Sequence, residues 1–233
     1  MSEHNTSRLE RIRADYGTWA PVYDWFARTT ASIGGIRTAC VEQLNLEPGA
    51  TVVEFGCGPG VNFPALRAAV GATGRVVGVD VTKPMIDRAR SLVARREWDN
   101  VEVICADATT PPIDSVDAVV ATFVTSLFEN PQMVVSEWCH AAETVVIANF
   151  VPGENAIANA GLWAFTRLNA RLFDLASDAD NALTQLATRT AASKQALTEQ
   201  MQSVVTTRHL FGTIVVHAGR EKTKKSEPSE NAE

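Results

Sequence analysis

Several things are scarce in this chain of 233 residues. It contains no apolar run of about 18 residues, so no helix that crosses a bilayer is expected. Its four cysteines, Cys40, Cys57, Cys105 and Cys139, include no C-x-x-C pair, which leaves zinc and redox motifs without their ligand spacing. No metal is expected, and the thiols are expected to be reduced and mostly buried in a cytoplasmic protein. The segment from Met1 to Arg13 is polar, with charges of both signs and no apolar signal core. Basic charge is limited: the net charge is −6, and only 5 of the 21 basic residues are lysines, three of them within the last dozen positions. Phosphate contacts need clustered Lys and Arg, so nucleic acid is not an expected partner. Tyrosine occurs only at positions 16 and 23. A disulfide-stapled secreted scaffold, a membrane-spanning protein and a repeat array are thereby set aside.

Hydrophobic residues make up 45% of the chain and charged residues 21%, an ordinary composition for a folded domain. Short β-branched runs recur at Ala50 to Phe55, Arg75 to Val79, Val101 to Cys105, Val116 to Ala121 and Thr144 to Asn149. Their continuous apolar character suits parallel strands covered on both faces. Helical patterns lie between them at Phe63 to Val70, Pro84 to Arg96 and Pro131 to His140, with Asn62 and Thr82 placed to cap the first two. After Phe150 the alternation stops. Two helical stretches, separated near Ser177-Asp178, precede two strand-like runs, Ser203 to Leu210 and Gly212 to Ala218, that read as a hairpin. The expected fold is α/β: a Rossmann-like, doubly wound seven-stranded sheet, mostly parallel with an antiparallel C-terminal hairpin strand, helices on both faces.

The first chemistry lies in VVEFGCGPGVNF, Val52 to Phe63. Gly56, Gly58 and Gly60 form a G-x-G-x-G pattern between a strand and a helix, where backbone must turn tightly and approach a ligand. Asp80 follows Gly60 by 20 positions, at the end of the second strand, where a carboxylate accepts hydrogen bonds from ribose hydroxyls. A dinucleotide site prefers G-x-G-x-x-G, whose third glycine would fall at Val61. Glu54, two residues before Gly56, would oppose a pyrophosphate and suits a cationic ligand or an amino group.

The series E-F-G-C-G-P-G, V-V-G-V-D and C-A-D-A resembles the motifs of class I S-adenosylmethionine-dependent methyltransferases from about Tyr16 to Phe150. The hairpin resembles that family's reversed last strand. The resemblance implies S-adenosyl-L-methionine as cofactor. Gly56, Cys57, Gly58, Pro59 and Asn62 would cradle its methionine part, and Glu54 would act on its amino group. Asp80 would hold the ribose, with Val81 and Met85 against the adenine. Asp107 would accept from the adenine amino group, with Ala108 beside it, unless Asp107 only opens an Asx turn. Thr122 and Phe123 would line the cofactor near its sulfonium. The usual Pro-Gly-Gly turn before the fifth strand is replaced by Cys139-His140-Ala141-Ala142-Glu143.

The aromatic segment YGTWAPVYDWFA, Tyr16 to Ala27, is either a helix packed on the sheet edge or a lid. Its Y-D-x-F resembles the UbiE-like branch of quinone, lipid and small-molecule methyltransferases, which implies Tyr23 over the cofactor; an aromatic face attracts a sulfonium. Leu162, Phe165, Leu168, Leu172 and Leu175 follow helical spacing, either packing on the sheet or walling an apolar acceptor site with a peripheral membrane contact. Residues 1–219 thus read as one domain: 14–45 the lid and N-terminal helices, 46–150 the cofactor-binding core, 151–200 a helical substrate insert, 201–219 the hairpin. Residues 220–233 read as a disordered tail. No catalytic base is assigned; His140, His209 and His217 are expected to be structural.

The leading expectation is methyl transfer to a small or lipid-like acceptor (a quinone, lipid head group or specialised metabolite) by a monomer or homodimer. The alternatives are an NAD(P)-dependent Rossmann oxidoreductase, which the lack of a Tyr-x-x-x-Lys pair disfavours, and a non-catalytic S-adenosylmethionine-binding module.

Overall fold

The computed structural model describes residues 35–110, 115–163 and 182–221. The aromatic segment with Tyr23, most of the insert's leucine stripe and the tail beyond 221 lie outside the described residues.

Helix α1 (Ile36–Leu44) leads into β1 (Thr51–Phe55), α2 (Phe63–Val70), β2 (Arg75–Asp80), α3 (Lys83–Arg95), β3 (Val101–Cys105) and β4 (Val116–Thr122). A 3₁₀ turn (Thr125–Leu127), α4 (Pro131–Ala141) and β5 (Ala142–Phe150) follow. Helical residues 156–163, α5 (Ala182–Gln200), β6 (Ser203–His209) and β7 (Ile214–Arg220) complete the described chain.

The seven strands form one sheet in the order β3-β2-β1-β4-β5-β7-β6. β1 pairs in parallel with both β2 and β4, and β7 runs antiparallel to both β5 and β6. Alternation along each strand sends side chains to two cores. On one face Val52, Val76, Val120 and Val146 pack with Ile36, Leu66 and Ile86 of α1, α2 and α3. On the other, Val53, Phe55, Val119 and Ile147 pack with Val135, Trp138 and Leu197 of α4 and α5.

Three local expectations are corrected. α4 passes into β5 at Ala141–Ala142 without a loop, so the fifth strand begins two residues before Thr144; nothing in Cys139-His140-Ala141 breaks the helix. Asn62 and Thr82 stand at the N-cap positions of α2 and α3, but neither side chain caps its helix. Both side chains are drawn instead to carboxylates, Glu54 and Asp80. β7 also runs through Arg220, two residues past Ala218.

Trp138 is fully buried, stacks on Phe55 at a centroid distance of 4.7 Å, and donates from Nε1 to the carbonyl of Ala108 at 2.9 Å. It joins α4 to β1 and to the loop after β3. Trp138→Ala is expected to lower stability by about 3–5 kcal/mol, measured by urea unfolding, because it opens a cavity and strands a buried carbonyl. A loss within about 0.5 kcal/mol, the usual range of a surface change, would contradict this role.

Candidate functional site at the carboxyl ends of the strands

The chain leaves β1 towards β2 and β3 on one side, then returns across them to β4 on the other side of β1. The loops after β1 and β4 therefore part above a switch point, where open α/β sheets bind ligands. These loops touch: a Cβ on Gly56 would lie 2.7 Å from Val124 Cγ2. Gly56, Gly58 and Gly60 have φ of 67°, 54° and 80°, a region that side chains disfavour. Gly58 and Pro59 are buried, yet a Cβ on Gly58 would meet no heavy atom within 4 Å beyond its chain neighbours. A cradle opens there. At Gly78, on β2, a Cβ would come within 2.3 Å of the Phe63 ring, so glycine is what lets α2 settle behind the loop.

Beneath the loop Glu54 is 1% exposed. Its Oε1 accepts from Asn62 Nδ2 at 2.5 Å, while the buried Oε2 has no hydrogen-bond partner. Asn62 Oδ1 accepts from Arg37 Nη1 at 2.7 Å, which orients the amide nitrogen towards Glu54, and the same nitrogen lies 3.4 Å from Thr122 Oγ1. Burial pushes the Glu54 carboxyl up to about 8, against the pull of the Arg37 charge and the Asn62 hydrogen bond. An orphaned, buried acceptor of this kind is costly unless a ligand satisfies it, and a cationic donor does so best.

Asp80, at the end of β2, is half-buried. Oδ1 accepts from the Thr82 amide at 2.8 Å and its hydroxyl at 2.5 Å, and Oδ2 accepts from the Gly58 amide at 2.9 Å. The carboxylate thus ties the glycine loop to the β2 end and retains acceptor capacity on Oδ2. Burial raises its pKa, opposed by these hydrogen bonds. Val81 is half-exposed, while Met85, in the first turn of α3, is buried. Cys105 pairs with Asp80 across β2–β3, which sets Asp107 two residues further along the same rim. Asp107 Oδ1 accepts from the Thr109 amide at 2.9 Å, so the Asx turn is present; Ala108 is buried behind it.

Thr122 closes β4. Phe123 stands at φ 63°, and its amide donates to Ala148 at 2.7 Å. That backbone is disfavoured for a residue with a Cβ by about 1–2 kcal/mol. Phe123 stacks on Phe150, at the end of β5, with centroids 4.4 Å apart. The stack and the backbone bond hold the strained residue in place.

Cys57 lies buried inside the loop, and burial raises its thiol well above the ordinary range. His217 is buried on β7, paired with Thr206 Oγ1 at 2.9 Å, and burial lowers it to about 4. His209 is held 3.0 Å from Thr207 Oγ1, and His140 is exposed at the end of α4. Among the described residues no group of His, Cys, Asp and Glu is arranged to hold a metal. Sequence reasoning missed Arg37 and Val124: neither belongs to a motif, and only the packing of α1 and of the β4 loop brings them in.

Glycine loop, two rim carboxylates and switch point define a nucleotide-binding α/β protein whose buried Glu54 favours a cationic ligand over a pyrophosphate. The family described as "Methyltransferase domain" matches residues 52–143. A phosphatidylethanolamine N-methyltransferase of Cereibacter sphaeroides is 32% identical over 147 residues, covering 60% of this chain and 68% of that protein. An arsenite methyltransferase of Halobacterium salinarum is 35% identical over 91 residues, 38% of this chain and 23% of that protein. The first curated relatives that the chain matches are spanned over only 23–32% of their length. The solved structure of a SAM-dependent methyltransferase from Aquifex aeolicus shares the fold at a TM-score of 0.51 and 17% identity, over 78% of this chain and 88% of that one. The chain belongs to the class I S-adenosylmethionine-dependent methyltransferases. Its cofactor is S-adenosylmethionine, and the residues fit: an amino group suits the open Oε2 of Glu54, and the cradle at Gly58 admits close approach.

Between about pH 4.5 and pH 8 the folded, cofactor-free chain keeps a proton on Glu54 that the unfolded chain has lost. The group's contribution to stability therefore falls as pH rises through that window. Glu54→Gln is expected to flatten this fall in urea unfolding between about pH 5 and 8; Asp80, raised by burial, adds to the fall, and His217, lowered to about 4, opposes it at the acid end of the window. A slope equal to that of the unaltered chain would show that Glu54 titrates normally.

Proposed function

We propose that the protein transfers a methyl group from S-adenosylmethionine to a small or lipid-like acceptor. The observation that supports this most directly is the buried Glu54 carboxylate with an unsatisfied oxygen beneath the glycine loop. In this reading Glu54 and Asn62 receive the amino acid part, Gly56, Cys57, Gly58 and Pro59 form its cradle, and Asp80 accepts from the ribose. Val81, Met85, Asp107 and Ala108 surround the adenine, Thr122 and Phe123 face the reacting centre, and Tyr23 closes over it. The bound cofactor supplies an electrophilic methyl on a sulfonium. The chain's part is orientation of the acceptor along the line of displacement and exclusion of water, which can supply most of the acceleration without a dedicated base. The acceptor class rests on the relative from Cereibacter, whose name gives a phospholipid head group as its substrate. The Phe123–Phe150 stack beside the site supports an apolar acceptor.

Calorimetry is expected to detect S-adenosylhomocysteine binding, with Asp80→Ala weaker by about 1–3 kcal/mol because charge-assisted hydrogen bonds are lost. Binding of NADH in its place would sink the reading. With labelled S-adenosylmethionine and a cell extract, label is expected in organic-soluble product; label confined to RNA or protein would overturn the acceptor class.

A further inference from the structure

The β6–β7 tip is out of keeping with ordinary hairpin chemistry. Leu210, Phe211 and Gly212 take φ of 47°, 54° and 84° in succession, closed by the Gly212 amide on the His209 carbonyl at 3.0 Å and the Thr213 amide on the Leu210 carbonyl at 3.1 Å. Consecutive left-handed residues call for Asn and Gly, the usual occupants of such turns. Here two bulky apolar residues take those places, and they point outward: Leu210 is 37% exposed and Phe211 74%. Backbone disfavour and exposed apolar surface both act against this choice in water.

The position of the tip supplies a reason. β6 is parallel to β5, so the tip lies on the carboxyl rim, the same edge as the site; Ile214, just past it, pairs with Phe150, which stacks on Phe123. The chain after β5 comes back against the tip: a Cβ on Gly153 would lie 2.8 Å from the Phe211 carbonyl. Asn159 clasps Gly153 at both its amide and its carbonyl, each at 2.7 Å. Ile157, 86% exposed, stands between these two residues in the chain. The charge is also local. Within 201–220 there is no Asp or Glu, although the chain carries 27, and the exposed Arg208 reaches the tip, its Nη1 3.4 Å from the Gly212 carbonyl, while the nearest acid in the returning segment is Glu154.

We propose that Leu210 and Phe211, with Arg208 behind them, form a docking point for an anionic lipid surface that sets the mouth of the site against the membrane interface. Apolar side chains enter the acyl boundary, and the guanidinium of Arg208 meets the head-group phosphates. This deepens the lipid-like acceptor of the proposed function and rests on it for its purpose, though not for the contact itself. A lipid acceptor would then reach the site without leaving the bilayer.

The full chain is to be sedimented with vesicles of equal parts phosphatidylcholine and phosphatidylglycerol, and compared with the double variant L210N/F211G. The variant is expected to lose vesicle binding on the order of tenfold or more, as two apolar side chains are withdrawn. Its thermal midpoint should be equal or higher, since Asn-Gly suits the turn, and its affinity for S-adenosylhomocysteine in the absence of vesicles should be unchanged. Arg208→Gln is expected to weaken binding to the mixed vesicles and not to pure phosphatidylcholine. Equal sedimentation of both chains, or none by the unaltered one, would overturn the proposal. So would a sharp fall in the variant's midpoint, which would make the tip a structural contact, or a concentration-dependent dimer that the variant abolishes. Failure of the unaltered chain to bind S-adenosylhomocysteine would reject the methyltransferase reading instead, and the vesicle result would still decide the docking point.

Discussion

The parallel pairing of β1 with β2 on one side and β4 on the other is the constraint on which this molecule depends. Crossovers of one hand place successive strands outward from β1, first one way and then the other. The loops that leave β1 and β4 start out to opposite sides of that point, and they meet at Gly56 and Val124. Glu54, Asp80, Asp107 and Thr122 reach a common rim because each stands at or just past the carboxyl end of its own strand.

Polar groups within the site are spent on one another as well as reserved for a ligand. Asp80 draws the Gly58 amide and both donors of Thr82, so the acid that would hold a ribose also shapes the glycine loop. Arg37, Asn62 and Glu54 form a buried chain in which the guanidinium fixes the amide and the amide serves one carboxylate oxygen. The remaining oxygen has no hydrogen-bond partner. Burial otherwise favours the neutral acid, so a bound cation and an ionised Glu54 support each other.

Much of the fold was legible in residues. Continuous apolar runs such as Val116 to Ala121 announced strands covered on both faces, and Gly56, Gly58 and Gly60 announced a turn that a ligand can approach. Helix caps were less legible. Asn62 and Thr82 are good capping types at capping positions, yet Arg37 takes the Asn62 oxygen and Asp80, two residues upstream, takes the Thr82 hydroxyl. The end of α4 was misjudged because the family's glycine turn is missing there and the helix simply runs on into β5. Arg37 was silent, since a lone arginine in a helix before the first strand has no pattern to mark it.

The sequence by itself determined the order of strands and helices, the glycine loop, and the identity of the carboxylates at the strand ends, because these depend on local periodicity and spacing. Only the tertiary structure decided which of those groups meet. Asp80 reaches Gly58 across 22 residues, Gly56 meets Val124, and the Leu210-Phe211 tip comes to the rim of the site through the antiparallel pairing of β7 with β5. Such contacts depend on the direction in which distant strands are laid side by side, and no spacing within one segment encodes that.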